Sequence, residues 1–490
     1  MISINANAFE LFKPWVTKLP TSLNDIAINN LCFDSRQVTP GDAFVVMPSV
    51  AGHQAEYINA AKEAGAVLFI TEQELASDCP GPCLQIPHML QVMGGIVHQS
   101  LGRACDKMAV IGITGTNGKS SISFYLAQLL NELSKPCAVM GTLGYGDMSS
   151  LTVTGMTTPP LEQLHLALSE LSERYQAIAM EVSSHGLEQG RLAGVKFNGA
   201  IFSNLTRDHL DYHGDMAAYG AAKARLFNWP DLEFAIINMD DEFGAELAES
   251  SSCEHVTYYG RAEGAHLKFS FEKIHSQGMT IKFEWQGQAL ASELPLYGEF
   301  NAYNVAAALA CVLQMGFDFS TAVKALHVLH GVPGRMQQVG AGAGQPLVLV
   351  DYAHTPDALQ QALQAVRQHC SGNIHLVVGC GGDRDVGKRP LMGKIALQYA
   401  DIVFYTSDNP RSESPRDICT QMTAGLPTGT FQVELDRKKA IEAAVGMAGP
   451  EDLVVIAGKG HEDYQEINGQ RGYFSDEAVA QEALKLGSSK

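Results

Sequence analysis

The 490-residue chain lacks long apolar runs, basic tracts and closely paired cysteines. No uninterrupted apolar stretch approaches the ~18 residues that a membrane-spanning helix needs, so we expect no membrane span. The first residues lack a basic start followed by an apolar block, and we therefore expect no secretory leader and a cytoplasmic location. The 34 Lys and Arg residues against 53 Asp and Glu residues give a net charge of -19, which argues against nucleic acid as a partner.

Only Cys79 and Cys83 lie close together among the ten cysteines. Their spacing is one residue longer than the Cys-x-x-Cys pattern of redox and zinc sites, and no second pair completes a site. We therefore predict reduced thiols, as is usual in cytosolic proteins. The chain is long enough for about three domains, and its apolar fraction of 46% lets each domain bury a core.

The strongest motif is a glycine-rich turn, Gly115-Thr-Asn-Gly-Lys-Ser120, between an apolar strand at 110–114 and a helical stretch at 121–133. This arrangement points backbone N–H groups and a helix N-terminus at one place, which suits a polyphosphate. Lys119 can pair with the β- and γ-phosphates, and the Ser120 hydroxyl can bind Mg²⁺. The usual P-loop has glycine where Ile113 stands, so the turn is a variant of that loop.

The order of apolar runs predicts an α/β protein with domains at 1–93, 94–333 and 334–490. The first is a small α/β domain. Strands alternate with helical stretches in the central domain and again in the C-terminal, Rossmann-like domain, a rhythm typical of parallel sheets. Residues 258–297 alternate in polarity and are predicted to add antiparallel strands at one edge of the central sheet.

Polar residues follow two strands of the central domain. Glu181 ends one strand, and Asp208 and His209 follow the next. Because the carboxyl ends of parallel strands share one edge, we expect these residues beside Lys119, where a carboxylate and an imidazole can hold Mg²⁺. Taken singly, His209 fits a hydrogen-bonded loop residue and Asp208 a turn former.

The third domain shows the same concentration in four loops, at 351–357, 379–385, 407–411 and 457–462. Arg384 and Arg411 suit carboxylates, whereas Asp408 and Glu462 can receive an ammonium group. The four loops together indicate a zwitterionic ligand such as an amino acid. For any one loop, a solvated rim of ion pairs is the alternative.

At these residues the sequence resembles the Mur ligases, ATP-dependent amide-forming enzymes of bacterial cell-wall synthesis, over nearly the whole chain. The turn at 114–120 looks like the ATP loop of that family, with Ser120 where threonine is usual. Its other signatures are matched by Glu181-Val-Ser-Ser, Asn204-Leu-Thr-Arg-Asp-His209, Asn301-Ala-Tyr-Asn304, Gly334-Arg335 and Asp351-Tyr-Ala-His354. Asp408-Asn-Pro-Arg411 is similar to the motif of members that add diaminopimelate, whereas lysine-adding members lack its arginine.

The resemblance implies site residues in all three domains. The ATP site would comprise Gly115, Thr116, Asn117, Gly118, Lys119, Ser120, Ser121, Asn301, Asn304, Arg335 and Asp351. The uridine-binding first domain and the central domain would hold the acceptor through Phe33, Ser35, His53, Gln54, Ala55, Thr157, Thr158, Ser183, Gln189 and Arg191. The incoming amino acid would contact Arg384, Asp408, Asn409, Pro410, Arg411, Gly458 and Glu462.

The resemblance also implies the catalytic chemistry. Mg²⁺ would be held by Ser120, Glu181 and His209. The catalytic set would be Lys119, Glu181, His209 and Lys223. Lys223 would carry a carbamate; without the resemblance, it is a solvated charge on a helix.

The implied reaction adds meso-2,6-diaminopimelate to UDP-N-acetylmuramoyl-L-alanyl-D-glutamate through an acyl phosphate, with release of ADP and phosphate. We also expect a monomer. Two alternatives stay open. One is a sister enzyme that adds lysine or extends folate with glutamate, against which the Asp408–Arg411 segment argues. The other is a nucleotide-dependent switch or binding protein, which needs no second ligand site in a third domain.

Overall fold

The computed structural model describes residues 1–47, 54–73, 79–340 and 344–487. These residues belong to two compact units. The first unit comprises 1–123 and 133–258, and the second comprises 124–132 and 259–490.

The first unit begins with a five-stranded sheet in the order β1-β2-β3-β4-β5, in which only the first pair is antiparallel. Alternate strand residues such as Leu31, Val45 and Ile70 are buried with Met93 and Val97 of the helix that follows the sheet. The elements are β1 (Ile2–Asn7), α1 (Ala8–Phe12), β2 (Ala27–Cys32), β3 (Ala43–Val45), α2 (Gln54–Glu63), β4 (Leu68–Thr71), β5 (Cys83–Gln85) and α3 (Met89–Ser100).

The second sheet of this unit contains the phosphate-loop motif. Its elements are α4 (Ala104–Lys107), β6 (Ala109–Thr114), α5 (Lys119–Glu132), β7 (Cys137–Gly141), β8 (Gly144–Asp147), β9 (Ser150–Thr152), α6 (Leu161–Ser172), β10 (Ala177–Glu181), α7 (Ser184–Glu188), β11 (Gly199–Phe202), α8 (Leu210–His213), α9 (Met216–Ala224), β12 (Phe234–Asn238), α10 (Glu242–Ser250) and β13 (Val256–Gly260). Residues 124–132 of α5 and 259–260 of β13 are counted with the second unit.

The strands of this sheet follow the order β9-β8-β7-β10-β6-β11-β12-β13. The pairs from β7 to β12 are parallel, and their residues are almost wholly buried, as in sheets covered by helices on both faces. Glu181 of β10 is in register with Ile113 of β6, and Phe202 of β11 with Thr114. The loops after these three strands therefore start at one edge of the sheet.

The second unit contains an antiparallel meander, two buried helices and a second α/β sheet. Its elements are β14 (Leu267–His275), β15 (Gly278–Trp285), β16 (Gln288–Leu294), α11 (Glu299–Gln314), α12 (Phe319–Ala325), β17 (Gln337–Val339), β18 (Leu347–Asp351), α13 (Pro356–Arg367), β19 (Ile374–Val378), α14 (Lys388–Tyr399), β20 (Ile402–Tyr405), α15 (Pro415–Met422), β21 (Gln432–Val433), α16 (Arg437–Met447), β22 (Leu453–Ala457), β23 (Tyr464–Ile467), β24 (Gln470–Tyr473) and α17 (Asp476–Gly487).

The α/β sheet of the second unit has the order β17-β18-β22-β19-β20-β21. All of its pairs except β17 with β18 are parallel. The strands β18, β19, β20 and β22 therefore end at one edge, and the four polar loops predicted from the sequence follow them. The separate hairpin of β23 and β24 comes directly after the last of these loops.

The predicted mixed α/β class with parallel sheets is confirmed. The prediction of antiparallel strands within 258–297 is confirmed for β14 to β16. It is wrong for the first pairing, because β13 and β14 run parallel through Tyr259 with Leu267 and Gly260 with Lys268. Residues 261–266 connect the end of β13 to the start of β14, so that the two strands run in the same direction. Among the described residues, no helix is both long and apolar enough to cross a bilayer.

Candidate active site

The glycine-rich turn after β6 is tied to the turn after β11. The N–H of Thr116 donates to the Asn204 carbonyl at 2.8 Å, and the N–H of Asn117 donates to Asn204 Oδ1 at 3.0 Å. Thr116 Oγ1 donates to the Thr206 carbonyl at 3.2 Å. These bonds fix the turn at the start of α5, whose first N–H groups have no partner within the helix and suit an anion.

Two lysines meet at this turn. Lys119 Nζ donates to the carbonyls of Gly115 and Thr116, both at 2.8 Å, and Lys223 Nζ donates to the Gly115 carbonyl at 2.9 Å. The turn thus combines main-chain donors with two amino groups, a combination that fits a polyphosphate.

Lys223 is buried, so its interpretation as a solvated helix charge is wrong. Its Nζ lies 4.4 Å from the ring centroid of Tyr219. Burial lowers the pKa of Lys223 well below its usual value, and the nearby positive charge of Lys119 lowers it further. A deprotonated amine carries a free electron pair and is therefore a nucleophile toward CO₂.

The Glu181 carboxylate lies beside the start of α5. It is buried, and Oε1 accepts hydrogen bonds from Ser120 Oγ at 2.8 Å and from the Thr142 N–H at 3.0 Å. Oε2 accepts a third from Thr142 Oγ1 at 3.1 Å. A Cβ at Gly141 would lie 2.1 Å from Oε1, so the approach of the carboxylate requires glycine there. Neither Gly141 nor Thr142 was identified from the sequence.

This donor set fits Mg²⁺, which prefers hydroxyl and carboxylate oxygens. Within the described ranges, no group of three or more His, Cys, Asp or Glu side chains is placed to hold a metal ion by itself. Magnesium commonly takes only one or two ligands from protein carboxylates and completes its shell with phosphate and water. Ser120 and Glu181 meet that requirement.

His209 belongs to a cluster of rings that the sequence did not reveal. Its ring centroid lies 5.0 Å from that of His185 and 6.0 Å from that of Tyr219, and Nε2 lies 3.6 Å from Asp208 Oδ2. The imidazole is half-exposed at 47%. Partial desolvation lowers the pKa of His209 despite the opposing charge of Asp208, which favours the neutral ring that binds metals.

The predicted acceptor residues of the central region form one network beside Glu181. Thr158 Oγ1 donates to the Glu181 carbonyl at 3.1 Å and accepts from the Ser183 N–H at 3.0 Å. Arg191 donates to the Thr158 carbonyl at 2.8 Å and to Gln189 Oε1 at 2.9 Å. Thr157 joins through its hydroxyl, 3.0 Å from Thr142 Oγ1. The structure therefore brings all five predicted residues together.

The predicted uridine-site residues lie in the first sheet of the first unit. Phe33 follows β2 and is partly buried, and Ser35 is buried in a short 3-10 turn that packs against α2. Gln54 and Ala55 begin α2. His53, the fifth predicted residue, lies outside the described residues.

The second unit contains the predicted nucleotide residues Asn301, Asn304, Arg335 and Asp351. The Asn301 amide is buried and accepts from Tyr125 Oη and Asn304 Nδ2, both at 3.1 Å. The Arg335 guanidinium lies 4.7 Å from the Tyr352 ring centroid. Burial raises the pKa of Asp351, and the positive charge of Arg335 opposes that shift. Asp351 accepts from the Met336 N–H at 2.8 Å, so it anchors the turn that carries Arg335.

The loops after β19 and β20 are joined through Arg411. Its Nη1 donates to the Gly382 carbonyl at 2.7 Å, and the Gly382 N–H donates to the Asn409 carbonyl at 2.9 Å. A Cβ at Gly381 would lie 3.0 Å from Arg411 Nη1 and 3.7 Å from Arg384 Cγ, which places the two arginines on one loop face. Arg384 is exposed and Pro410 is buried.

The loops after β20 and β22 are joined through Asn409 and Glu462. Asn409 Nδ2 donates to Glu462 Oε2 at 2.8 Å. Gly458 has φ +116°, and a Cβ there would lie 2.7 Å from Asp408 Oδ2, so this close approach requires glycine. The structure thus brings the predicted arginines, carboxylates and glycine of the amino-acid site together.

The hairpin of β23 and β24 supports the backbone of this site. The Arg411 N–H donates to the Glu466 carbonyl at 3.0 Å, and the Asn468 N–H donates to the Arg411 carbonyl at 2.7 Å. These two bonds hold Arg411 at φ +51°, a left-handed conformation that costs energy for a side chain with a Cβ. This hairpin was not predicted from the sequence, because its strands are only four residues long and mostly polar.

Family models match both units. One described as the Mur ligase middle domain matches residues 113–312, and one described as the Mur ligase glutamate ligase domain matches 334–460. A UDP-N-acetylmuramoyl-L-alanyl-D-glutamate–2,6-diaminopimelate ligase of Xanthomonas oryzae is 41% identical over 470 residues, covering 94% of each chain. The chain belongs to the Mur ligase family.

Two further relatives of this Mur ligase are named as the same kind of ligase. The Pseudomonas aeruginosa protein is 41% identical over 472 residues, covering 95% of this chain and 96% of its own. A solved structure is 37% identical with a TM-score of 0.76 and covers 99% of this chain and all of its own. The resemblance to Mur ligases over nearly the whole chain is therefore confirmed, as is the fold class.

Proposed function

We propose that this Mur ligase adds meso-2,6-diaminopimelate to UDP-N-acetylmuramoyl-L-alanyl-D-glutamate at the expense of ATP. The observation that carries the proposal is the joined pair of loops at Arg411 and Glu462. A guanidinium and a carboxylate on these linked loops match the carboxylate and ammonium groups of a diamino dicarboxylic acid. The relatives named for this reaction are 41% identical over 94% of the chain.

In the first step, an oxygen of the D-glutamate side-chain carboxylate attacks the γ-phosphorus of ATP. A bond forms between that carboxylate oxygen and the γ-phosphorus. The bond between the γ-phosphorus and the oxygen that bridges to the β-phosphate breaks, and ADP leaves. Two anions must approach each other, so Lys119 and the main-chain donors of the 115–118 turn neutralise charge. Asn301, Asn304, Arg335 and Asp351 hold the nucleotide in this proposal.

In the second step, the neutral amine of diaminopimelate attacks the acyl carbon, loses a proton and displaces phosphate. Here the main task of the chain is to position the amine about 3–3.5 Å from the acyl carbon. Arg384, Arg411 and Glu462 bind the charged groups of the amino acid, while Thr157, Thr158, Ser183, Gln189 and Arg191 hold the acceptor. Phe33, Ser35, His53, Gln54 and Ala55 bind its uridine end.

Mg²⁺ at Ser120, Glu181 and His209 would supply charge neutralisation at the transferred phosphoryl group. Lys223, as a carbamate, would place an anion beside that site. Its burial supports this assignment, because a desolvated lysine loses its proton readily and can then take up CO₂.

We further propose a cytoplasmic monomer with domain boundaries near 93/94 and 333/334. All ten cysteines are free thiols, which suits a reducing compartment. Sedimentation velocity tests the monomer, fractionation tests the compartment, and limited proteolysis tests the boundaries.

The proposed function is tested by ADP release from the purified enzyme with acceptor and a panel of amino acids. We expect ADP release over many turnovers only when acceptor and meso-diaminopimelate are both present. Equal release with lysine would indicate a lysine-adding enzyme, and release without acceptor would indicate a nucleotide-dependent switch.

A further inference from the structure

Lys459 is a fully buried lysine between the proposed amino-acid loops, with 0% of its side chain exposed. Its Nζ donates to Asn409 Oδ1 at 3.0 Å and to Glu462 Oε2 at 3.1 Å. The same nitrogen lies 5.3 Å from the ring centroid of Tyr464. All three partners belong to the loops that surround Arg411 or to the hairpin that follows them.

The contacts of Lys459 fix the orientation of the Asn409 amide. Asn409 Oδ1 accepts from Lys459 Nζ and also from the Glu466 N–H at 3.0 Å. Asn409 Nδ2 donates to Glu462 Oε2 at 2.8 Å. If the amide were flipped, Nδ2 would face Lys459 Nζ and the Glu466 N–H, which are both donors, and Oδ1 would face the Glu462 carboxylate, which is an acceptor. Only the observed orientation therefore satisfies the network.

The same contacts leave Glu462 with one available oxygen. Oε2 accepts from both Lys459 and Asn409. Within the described part of the chain, Oε1 has no hydrogen-bond partner, and the side chain is 20% exposed. The carboxylate is therefore held through one oxygen while the other remains accessible to a ligand.

Charge gives the lysine a second effect on the site. Asp408 and Glu462 belong to neighbouring loops, and Asp408 is buried. Two carboxylates in a poorly solvated site repel each other unless a cation lies close to them. Lys459 supplies such a cation to Glu462, whose Oε2 lies 3.1 Å from Nζ, and the buried guanidinium of Arg437 interacts electrostatically with both carboxylates.

We propose that Lys459 is a positioning residue for the amino-acid substrate, which holds Glu462 so that Oε1 faces the ammonium group of a zwitterionic diamino acid. This inference rests on the proposed function, since it assigns a role within the same site. In this role Lys459 acts through Glu462 and Asn409, since its buried Nζ is bonded to both. Its loss is therefore expected to weaken amino-acid binding selectively.

The test compares Lys459→Met, Glu462→Gln and the double variant, with Lys438→Met as the control. Lys438 is a half-exposed lysine of the same unit, paired with Glu442 and Glu482. We expect Lys459→Met to raise the KM for diaminopimelate by about 30-fold or more, as for a broken buried charge pair. The KM values for ATP and acceptor should stay within about twofold, and Lys438→Met should match the wild type.

The double variant separates positioning from general stability. If Lys459 acts through Glu462, adding Lys459→Met to Glu462→Gln should raise the KM for diaminopimelate little further. Full additivity, or an unchanged KM in Lys459→Met, would overturn the inference. Should Lys459→Met fail to fold, Lys459→Gln removes the charge and shortens the side chain that reaches Glu462 Oε2. An unchanged KM for diaminopimelate in Lys459→Gln would also overturn the inference.

Turnover of the wild-type enzyme with diaminopimelate distinguishes failure of the positioning role of Lys459 from failure of the proposed function. A wild type that uses diaminopimelate together with variants of unchanged KM would overturn the positioning role alone. A wild type that does not use diaminopimelate would overturn both.

Discussion

The Arg389 guanidinium and the Glu413 carboxylate form a two-pronged ion pair, with Nη1 to Oε2 and Nη2 to Oε1 both at 2.8 Å. Arg389 is fully buried and also donates to the Gly381 carbonyl at 3.2 Å. Glu413 Oε1 accepts in addition from the Asp383 N–H at 2.6 Å. The pair therefore fastens the loop after β19 to the segment that carries Arg411.

Glu413→Gln should lower the free energy of unfolding by about 2 kcal/mol, because it leaves a buried guanidinium without its counter-charge. Urea denaturation at pH 7 measures the change. Glu442→Gln, which removes a half-exposed partner of Lys438, should change stability by no more than about 0.5 kcal/mol. Equal losses in the two variants would show that the ion pair contributes no more than a surface contact.

The same pair predicts a pH dependence at the acid end. Hydrogen bonding to Arg389 lowers the pKa of Glu413 from 4.5 to about 2. The stabilisation is complete above the unfolded-state pKa and is lost as pH falls toward the folded-state value. The stability difference between the wild type and Glu413→Gln should therefore be constant above pH ~5 and shrink between pH ~4.5 and ~2. A difference that does not change over that interval would contradict the assignment.

Lys223→Met should stabilise the protein while abolishing its activity. A buried amino group must lose its proton on folding, and its removal avoids that cost, so we expect a gain of about 1–4 kcal/mol at pH 7 in CO₂-depleted buffer. Because burial lowers the pKa of Lys223 well below 10.5, the gain should diminish as pH rises toward 10.5. Thermal unfolding at pH 7 and pH 9.5 measures the gain in stability and its decrease with pH, and ADP release measures the loss of activity. A destabilised variant would contradict the burial argument.

Ser120 and Glu181 share a hydrogen bond at the start of α5. Ser120→Ala removes the hydroxyl proposed for Mg²⁺ and should reduce the rate of ADP formation by about 100-fold. Ser120→Thr retains the hydroxyl and should keep most of the activity. A Ser120→Ala enzyme with a normal rate and a normal Mg²⁺ requirement would remove Ser120 from the proposed metal site.

Arg411→Ala should weaken diaminopimelate binding without affecting ATP. A charge-assisted bidentate bond to a carboxylate contributes roughly 1.5–3 kcal/mol, so the KM for diaminopimelate should rise about 10- to 100-fold. Arg416→Ala, an exposed arginine five residues further on, serves as the control. Equal KM increases for ATP and diaminopimelate would indicate a general loss of structure.

The sequence was sufficient to predict the parallel strands and the residues at their carboxyl ends. Strands such as Phe234–Asn238 and Ile374–Val378 are short, mostly apolar runs whose residues are all buried, so their composition indicates a central strand. The clusters around Lys119 and Arg411 then follow from topology, because parallel strands end at one edge. The phosphate turn was predicted from the apolar strand at 110–114, the glycine-rich turn and the helical stretch at 121–133.

The parts that sequence analysis missed depend on long-range pairing. The N–H of Arg411 bonds to Glu466, which lies 55 positions further on, and no local pattern indicates such a partner. Lys459 lies in the polar loop at 457–462, but its burial against Asn409 follows only from the three-dimensional structure. Lys223 has the sequence context of a surface helix, and the packing of α9 against α7 and α8 decides its burial.

The central claim concerns the bond that this enzyme makes. Purified enzyme should be incubated with ATP, Mg²⁺, UDP-N-acetylmuramoyl-L-alanyl-D-glutamate and meso-diaminopimelate, and the nucleotide-sugar product analysed by mass spectrometry. We predict a product whose mass equals the sum of acceptor and diaminopimelate less one water, formed in equal amount to ADP. Formation of ADP without that product, or an equal yield of the lysine adduct, would contradict the account.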